Sequence, residues 1–201
     1  MQLYYTPGAC SLSPHIVARE AGIPITLEKV DLKAHTTAGG EDYYTVNPKG
    51  YVPALKLDDG NTLTEGPAIV QYLADQKPQS RLAPPNGTFA RYKLQELLTF
   101  INGEVHKAFG PLFANPSEET RRQSVEKINK RFAWIEKELG DKPFLTGDTF
   151  TVADAYFFVM LNWAHLHRID MAPYPALEAY FARVKSRPHV IEAMKEEGLV
   201  K

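Results

Sequence analysis

Tyr51-Val52-Pro53-Ala54-Leu55-Lys56-Leu57-Asp58-Asp59-Gly60-Asn61-Thr62-Leu63-Thr64-Glu65-Gly66-Pro67-Ala68-Ile69 is the stretch on which the fold turns. Asp58-Asp59-Gly60-Asn61 is a turn signal between two short runs, residues 54–57 and 62–64, and predicts a β-hairpin. Pro53 stands at the entry to the first run, where a residue without an N–H cannot donate to a sheet ladder. Gly66-Pro67 then opens a helix with proline near its first turn. Ala68, Ile69, Tyr72 and Leu73 give that helix an apolar face.

Upstream, residues 3–5 form a short apolar and aromatic run ended by Pro7-Gly8, which reads as a strand. Residues 11–21 carry Leu12, Ile16 and Val17 at helical spacing and stop at Gly22-Ile23-Pro24. Residues 25–30 alternate as a second strand. Residues 33–46 are polar and irregular, a loop with a short helix. The order is βαβ followed by ββα.

Downstream, residues 78–88 contain Pro78, Pro84, Pro85 and Gly87 and read as a linker. All that follows reads as helix. Residues 89–113 are long and periodic, and 118–139 are amphipathic and charged. Thr151-Val152-Ala153-Asp154 resembles a capping box with Asp in place of the stricter Glu or Gln. Residues 155–163 are apolar on every side, so that helix belongs at the buried centre. Shorter helices follow over 174–186 and 189–197, separated by Pro188. The expected organisation is a mixed α/β domain over 1–77, a linker over 78–88 and an all-helical domain over 89–201.

The 201 residues, 44% hydrophobic and 23% charged, suit a soluble globular protein. A net charge of −1 argues against nucleic acid or an anionic membrane as partner. The longest apolar stretch, residues 155–161, is too short to span a bilayer. The amino terminus lacks a basic segment followed by an apolar run, so no secretory signal is expected. The one cysteine, Cys10, cannot form an internal disulfide or by itself build a thiolate metal site, and a reducing cytoplasm fits it.

Four places carry chemistry. Cys10 lies between the first strand and the first helix, where helix N–H groups and partial positive charge favour a thiolate; it reads equally as a small buried hydrophobe. Its spacing to Ser13 echoes a one-cysteine redox motif. Val52-Pro53 stands where a cis proline would let the preceding backbone receive an extended peptide as an added strand, although a loop proline is the commoner meaning of X-Pro. Thr64-Glu65-Gly66 opens a helix whose N–H groups suit a carboxylate, while Glu65 alone also reads as a complement to the helix dipole. On the long helix, Leu94, Leu97, Leu98, Ile101, Val105, Phe109 and Leu112 share one side. Thr99, Gly103, His106 and Gly110 form a small polar stripe nearly opposite. Two glycines there cost about 1 kcal/mol each relative to alanine, which suggests a close neighbour; a solvated face with a surface histidine is the other reading. His165, His167 and His189 have no spacing that supports a metal site, and structural or surface roles are expected of them.

Taken together, Tyr5-x-Pro7-Gly8-Ala9-Cys10-Ser11, Val46-Asn47-Pro48-Lys49-Gly50-Tyr51-Val52-Pro53, Leu63-Thr64-Glu65-Gly66, Glu104-Val105-His106-Lys107 and Phe150-Thr151-Val152-Ala153-Asp154-Ala155-Tyr156 resemble the beta-class glutathione transferases of bacteria. The resemblance runs the whole length. It implies a thioredoxin-like amino-terminal domain, an all-helical carboxy-terminal domain and a cytoplasmic homodimer with a role in detoxification. It implies glutathione as co-substrate, bound between the domains, with no metal, and a small hydrophobic electrophile as the second substrate. By position, Val52 and Pro53 would hold the cysteinyl backbone of glutathione, and Glu65 and Gly66 its γ-glutamyl end. Cys10 and His106 would lie near its sulfur as the catalytic pair, Cys10 forming a mixed disulfide with it. Thr99, Gly103 and Glu104 would line the site, partly from the neighbouring subunit.

The departures from the commonest pattern are His35, where a lysine often meets the glycyl carboxylate, Gly66 in place of serine, and Gly103 in place of a small hydroxyl residue. Tyr5 resembles the thiol-activating tyrosine of other classes, a role this class does not give it. Phe109, Phe113 and Trp163 are candidates for the electrophile pocket. The competing readings are a glutathione-dependent disulfide reductase and a non-catalytic member of the fold that binds a ligand or a partner.

Overall fold

A computed structural model describes residues 1–201. The chain divides into two compact units, Met1–Ala83 with Ser186–Lys201, and Pro84–Lys185.

The first unit is built on five strands: β1 (Gln2–Tyr5), β2 (Thr26–Asp31), β3 (Thr36–Thr37), β4 (Ala54–Lys56) and β5 (Thr62–Thr64). They are ordered β3-β2-β1-β4-β5. β1 runs parallel to β2 and antiparallel to β4, and β4–β5 is the expected hairpin, with Leu55 opposite Leu63. β3 lies inside the segment read from sequence as loop and short helix; its two residues pair antiparallel with Val30 and Asp31, and a 3₁₀ turn follows at Tyr43–Thr45. On one face of the sheet Tyr4, Val30 and Ala54 pack with Tyr43 and Val52. Leu3 and Leu55 point to the other face, as the period of two requires.

Helices α1 (Leu12–Glu20) and α2 (Gly66–Gln76) pack on each other and bury Leu12, Ile16, Val17, Ile69, Val70 and Leu73. α1 ends because Gly22 takes the left-handed conformation. There the Ile23 N–H reaches Ala18 O at 2.9 Å and the Gly22 N–H reaches Arg19 O at 3.1 Å, satisfying carbonyls the helix leaves open.

The last helix, here α8 because it closes the chain, covers Pro188–Glu196 and packs on α1. The sequence reading grouped residues 89–201 together; the segment from Ser186 clusters with the first unit.

The second unit runs through α3 (Phe89–Phe100), a π segment at Ile101–His106, the single turn α4 (Lys107–Phe109) and a 3₁₀ turn at Gly110–Phe113. The sequence predicts one regular helix over 89–113, and the π segment is a departure from it. Leu94, Leu98, Ile101, Val105, Phe109 and Leu112 stay buried throughout, so the apolar spacing continues across the wider turn and conceals it.

α5 (Glu118–Leu139), α6 (Val152–Leu166) and α7 (Pro175–Lys185) complete the unit. Every residue from Val152 to Leu161 is buried, as the all-round apolar pattern requires. Phe157 meets Phe132 edge-on at 5.9 Å, and Phe158 stacks on Phe181 at 5.3 Å. The capping box forms around Asp154. Its carboxylate accepts from Thr151 N at 2.7 Å, Thr151 Oγ1 at 2.9 Å, Leu145 N at 2.8 Å and Tyr180 Oη at 3.0 Å. Complete burial pushes the carboxyl up, and the donors from Leu145, Thr151 and Tyr180 oppose that rise. No helix is long and apolar enough to cross a membrane.

Candidate functional site

In the first unit, Cys10 follows a tight turn in which the Ala9 N–H meets Thr6 O at 3.0 Å. Ser11 locks the turn from within: its Oγ accepts from Thr6 N and donates to Thr6 O, both at 3.2 Å. The partly exposed Cys10 thiol donates to Val52 O at 3.3 Å. The Ser13 hydroxyl, whose spacing suggested a redox pair, is buried and donates to the Cys10 carbonyl at 2.8 Å. It caps backbone.

The loop carrying Val52 is fixed from below. Tyr43 Oη and Asn47 Nδ2 both donate to Tyr51 O, at 2.9 and 2.7 Å. The Val52-Pro53 bond is cis. Gly50 has φ +71°, and a Cβ there would lie 2.8 Å from Tyr44, so the Asn47-Pro48-Lys49-Gly50 turn admits little else. His35, also at positive φ, lies against Tyr44 at 4.6 Å between ring centroids. Its buried Nδ1 has no hydrogen-bond partner within the chain.

Glu65 precedes α2 with φ +71° and ψ 114°, a conformation costing a non-glycine residue about 1–3 kcal/mol. Its carboxylate takes Lys49 Nζ at 2.6 Å. The first turn of α2 holds Gly66 and Pro67 and no acidic side chain, so its N–H groups meet no carboxylate of their own helix.

One element of this unit escaped the sequence reading. His15, fully buried on α1, lies 3.0 Å from Glu197 Oε1 and 2.6 Å from Glu196 Oε2. Glu197 Oε2 also accepts from Gly8 N at 2.9 Å, two residues before Cys10. A histidine among Leu12, Ile16 and Val17 was the only signal, and its partners stand 182 and 181 residues away.

In the second unit, His106 closes the π segment half-buried. Its Nδ1 lies 2.6 Å from Tyr156 Oη, which donates onward to Asn102 Oδ1 at 2.8 Å. Trp163 meets the imidazole edge-on at 4.9 Å. Burial, with the neighbouring Lys107 charge adding to it, pulls His106 down to about 4, so the ring is neutral near pH 7.

Thr99 is exposed and turns its hydroxyl back to Gln95 O at 2.8 Å. Glu104 pairs with Arg131 at 2.5 Å. At Gly103 and Gly110 a Cβ would meet nothing within 4 Å, so no side chain of the second unit is the close neighbour that two glycines suggest. Beside His106, Trp163 contacts Phe109 at 5.7 Å and the half-exposed Phe113 at 4.9 Å. His165 and His189 make pairs with Glu178 and Glu192. No group of three or more His, Cys, Asp or Glu side chains converges as a metal-ligand set.

The sequence profile for the glutathione S-transferase N-terminal domain matches residues 8–76, and that for the C-terminal domain matches residues 118–183. The chain belongs to the glutathione S-transferase family. It is 44% identical to glutathione S-transferase GstA of Escherichia coli O157:H7 over 99% of this chain and 100% of that protein. Glutathione S-transferase GST-4.5 of Xanthomonas campestris is 35% identical over the same shares. Among solved structures, the ternary complex of BphK, a bacterial family member, superposes with a TM-score of 0.97 at 52% identity, covering 99% of this chain and 100% of that one. The beta-class enzyme of Sphingomonas chungbukensis gives 0.97 at 49% identity, each chain fully covered. A sphingomonad glutathione S-transferase complexed with glutathione gives 0.95 at 50% identity, again over both full lengths. These similarities to bacterial members make the chain a beta-class member of the family.

Proposed function

We propose that this chain is a cytoplasmic glutathione transferase that binds glutathione and promotes attack of its thiolate on small hydrophobic electrophiles, working as a homodimer. The observation that carries the reading is the contact of the Cys10 thiol with the Val52 carbonyl at 3.3 Å. It sets a sulfur against the backbone that an added peptide strand would use. Val52 and Pro53 then hold the cysteinyl part of glutathione, Glu65 and Gly66 the γ-glutamyl end, and His35 the glycyl carboxylate. Glu65 accepts the ligand's amino group, exchanging it for Lys49, and the first N–H groups of α2 take its α-carboxylate. His106 acts on the thiol as a neutral base, with Thr99, Gly103 and Glu104 lining the site.

Free glutathione titrates like cysteine, near 8.5, so stabilising its thiolate by about two units corresponds to about 2.7 kcal/mol. The thiolate adds to the electrophilic carbon, and the leaving group departs with the bonding pair. The partial exposure of Cys10 supports a second route. Its thiolate attacks the glutathione sulfur of a mixed disulfide and expels the other thiolate. Free glutathione then attacks the new disulfide and leaves as oxidised glutathione, restoring Cys10.

Intact mass after incubation with oxidised glutathione tests the Cys10 assignment. One glutathione adduct is expected on the wild type and none on Cys10→Ala, whose glutathione affinity stays within about tenfold. No glutathione adduct on the wild type overturns it.

A further inference from the structure

The hydrogen-bond chain at His106 determines which of its nitrogens is basic. Tyr156, on α6, stands between Asn102 and His106, both on the π segment. A phenol has one proton, and that of Tyr156 is given to Asn102 Oδ1 at 2.8 Å. The 2.6 Å contact between the same oxygen and His106 Nδ1 is therefore a hydrogen bond only if Nδ1 carries the hydrogen and donates. A neutral imidazole with hydrogen on Nδ1 has its lone pair on Nε2.

From this geometry we infer that Tyr156 and Asn102 are positioning residues that hold His106 in the Nδ1–H form, so that Nε2 is the atom offered as base to a substrate thiol. The inference rests on the reading of His106 as the thiol base.

Two further observations agree with it. Burial keeps the ring neutral, so the choice is between two neutral tautomers. The ring plane is set by edge contacts with Tyr156 and Trp163, at 5.9 and 4.9 Å and interplanar angles of 79° and 71°. Tyr156 is 1% exposed and lies on the most buried helix of its unit. Removing the hydroxyl takes away the acceptor that pays for Nδ1–H, and the hydrogen is then free to reside on Nε2, where it blocks the base.

The test is long-range nitrogen–proton correlation NMR of protein labelled at histidine nitrogen, near neutral pH. The six histidines are assigned by the resonance lost in His106→Gln. The expected wild-type spectrum has a pyrrole-type Nδ1 and a pyridine-type Nε2 for His106. Tyr156→Phe is expected to shift His106 toward the Nε2–H form. It is also expected to lower kcat with chlorodinitrobenzene by roughly 10- to 100-fold, a part of the usual worth of a positioned base, with KM for glutathione little changed. Asn102→Asp keeps an acceptor for the phenol and retains the wild-type tautomer; Asn102→Leu does not. An Nε2–H tautomer in the wild type, or a tautomer that Tyr156→Phe leaves unmoved, overturns the inference. If the tautomers behave as expected while His106→Gln turns over like the wild type, the tautomer assignment stands and the reading of His106 as thiol base falls.

Discussion

His106 lies below its ordinary value because its ring is withdrawn from water, with the positive charge of Lys107 adding to the effect. That depression is also a statement about stability. Above pH 6.5 the ring is neutral in both the folded and unfolded chain and contributes nothing to pH dependence. As pH falls below 6.5 the unfolded chain takes up a proton that the folded chain refuses, so the folded state loses ground. The loss continues until the folded ring titrates at about 4 and is constant below that. A fall from 6.5 to about 4 is worth about 3 kcal/mol at 1.36 kcal/mol per unit. His106→Gln removes the titration and keeps a polar side chain beside Tyr156. Urea unfolding at fixed protein concentration, repeated from pH 7 to pH 4, compares the two proteins at each pH. The wild type should lose about 3 kcal/mol more than the variant across that window, because other titrating groups cancel in the difference. A difference that stays flat with pH would refute the reasoning, since it would mean that the ring is as well solvated in the fold as in the unfolded chain.

Three further substitutions probe the scaffold. Asp154→Ala leaves Leu145 N and Thr151 N without their acceptor inside the second unit and should cost about 2–4 kcal/mol in urea unfolding; a cost under about 1 kcal/mol would deny the capping box its role. Glu197→Ala strips both His15 Nδ1 and Gly8 N of a partner. It should cost about 3–5 kcal/mol and speed hydrogen exchange at the Gly8 amide, and unaltered exchange there would show that the turn before Cys10 is held by other means. Gly50→Ala puts a Cβ 2.8 Å from Tyr44 at φ +71° and should lower stability by about 1–3 kcal/mol, which a thermal melt reads directly.

The parts of this structure written as local pattern were legible in the sequence. Asp58-Asp59-Gly60-Asn61 announced the hairpin, and β5 forms at Thr62–Thr64 as the pattern predicts. Gly22 marked the end of α1, and the apolar run after Thr151 marked the buried helix with its capping box. What escaped was written in no local pattern. β3 has two residues in a polar segment and forms by pairing with β2. The π segment keeps the apolar spacing of an ordinary helix, so a period of 3.6 passes through it unbroken. His15 is a buried polar residue whose partners come from the far end of the chain. The Ser13 hydroxyl was read by its spacing to Cys10, yet a serine in the first turn of a helix finds a backbone carbonyl three residues back more readily. At the candidate site, Cys10 and Val52 come together in the first unit. The Tyr156–Asn102 pair behind His106 depends on two elements meeting side by side, which no spacing along the chain discloses.

Use of glutathione as a nucleophile defines the proposed activity. Its most direct test is the steady-state rate of chlorodinitrobenzene conjugation as glutathione is varied. A saturable, enzyme-dependent rate is expected, falling in His106→Ala through kcat more than through KM. A rate that never rises above the uncatalysed reaction at any glutathione concentration would contradict it.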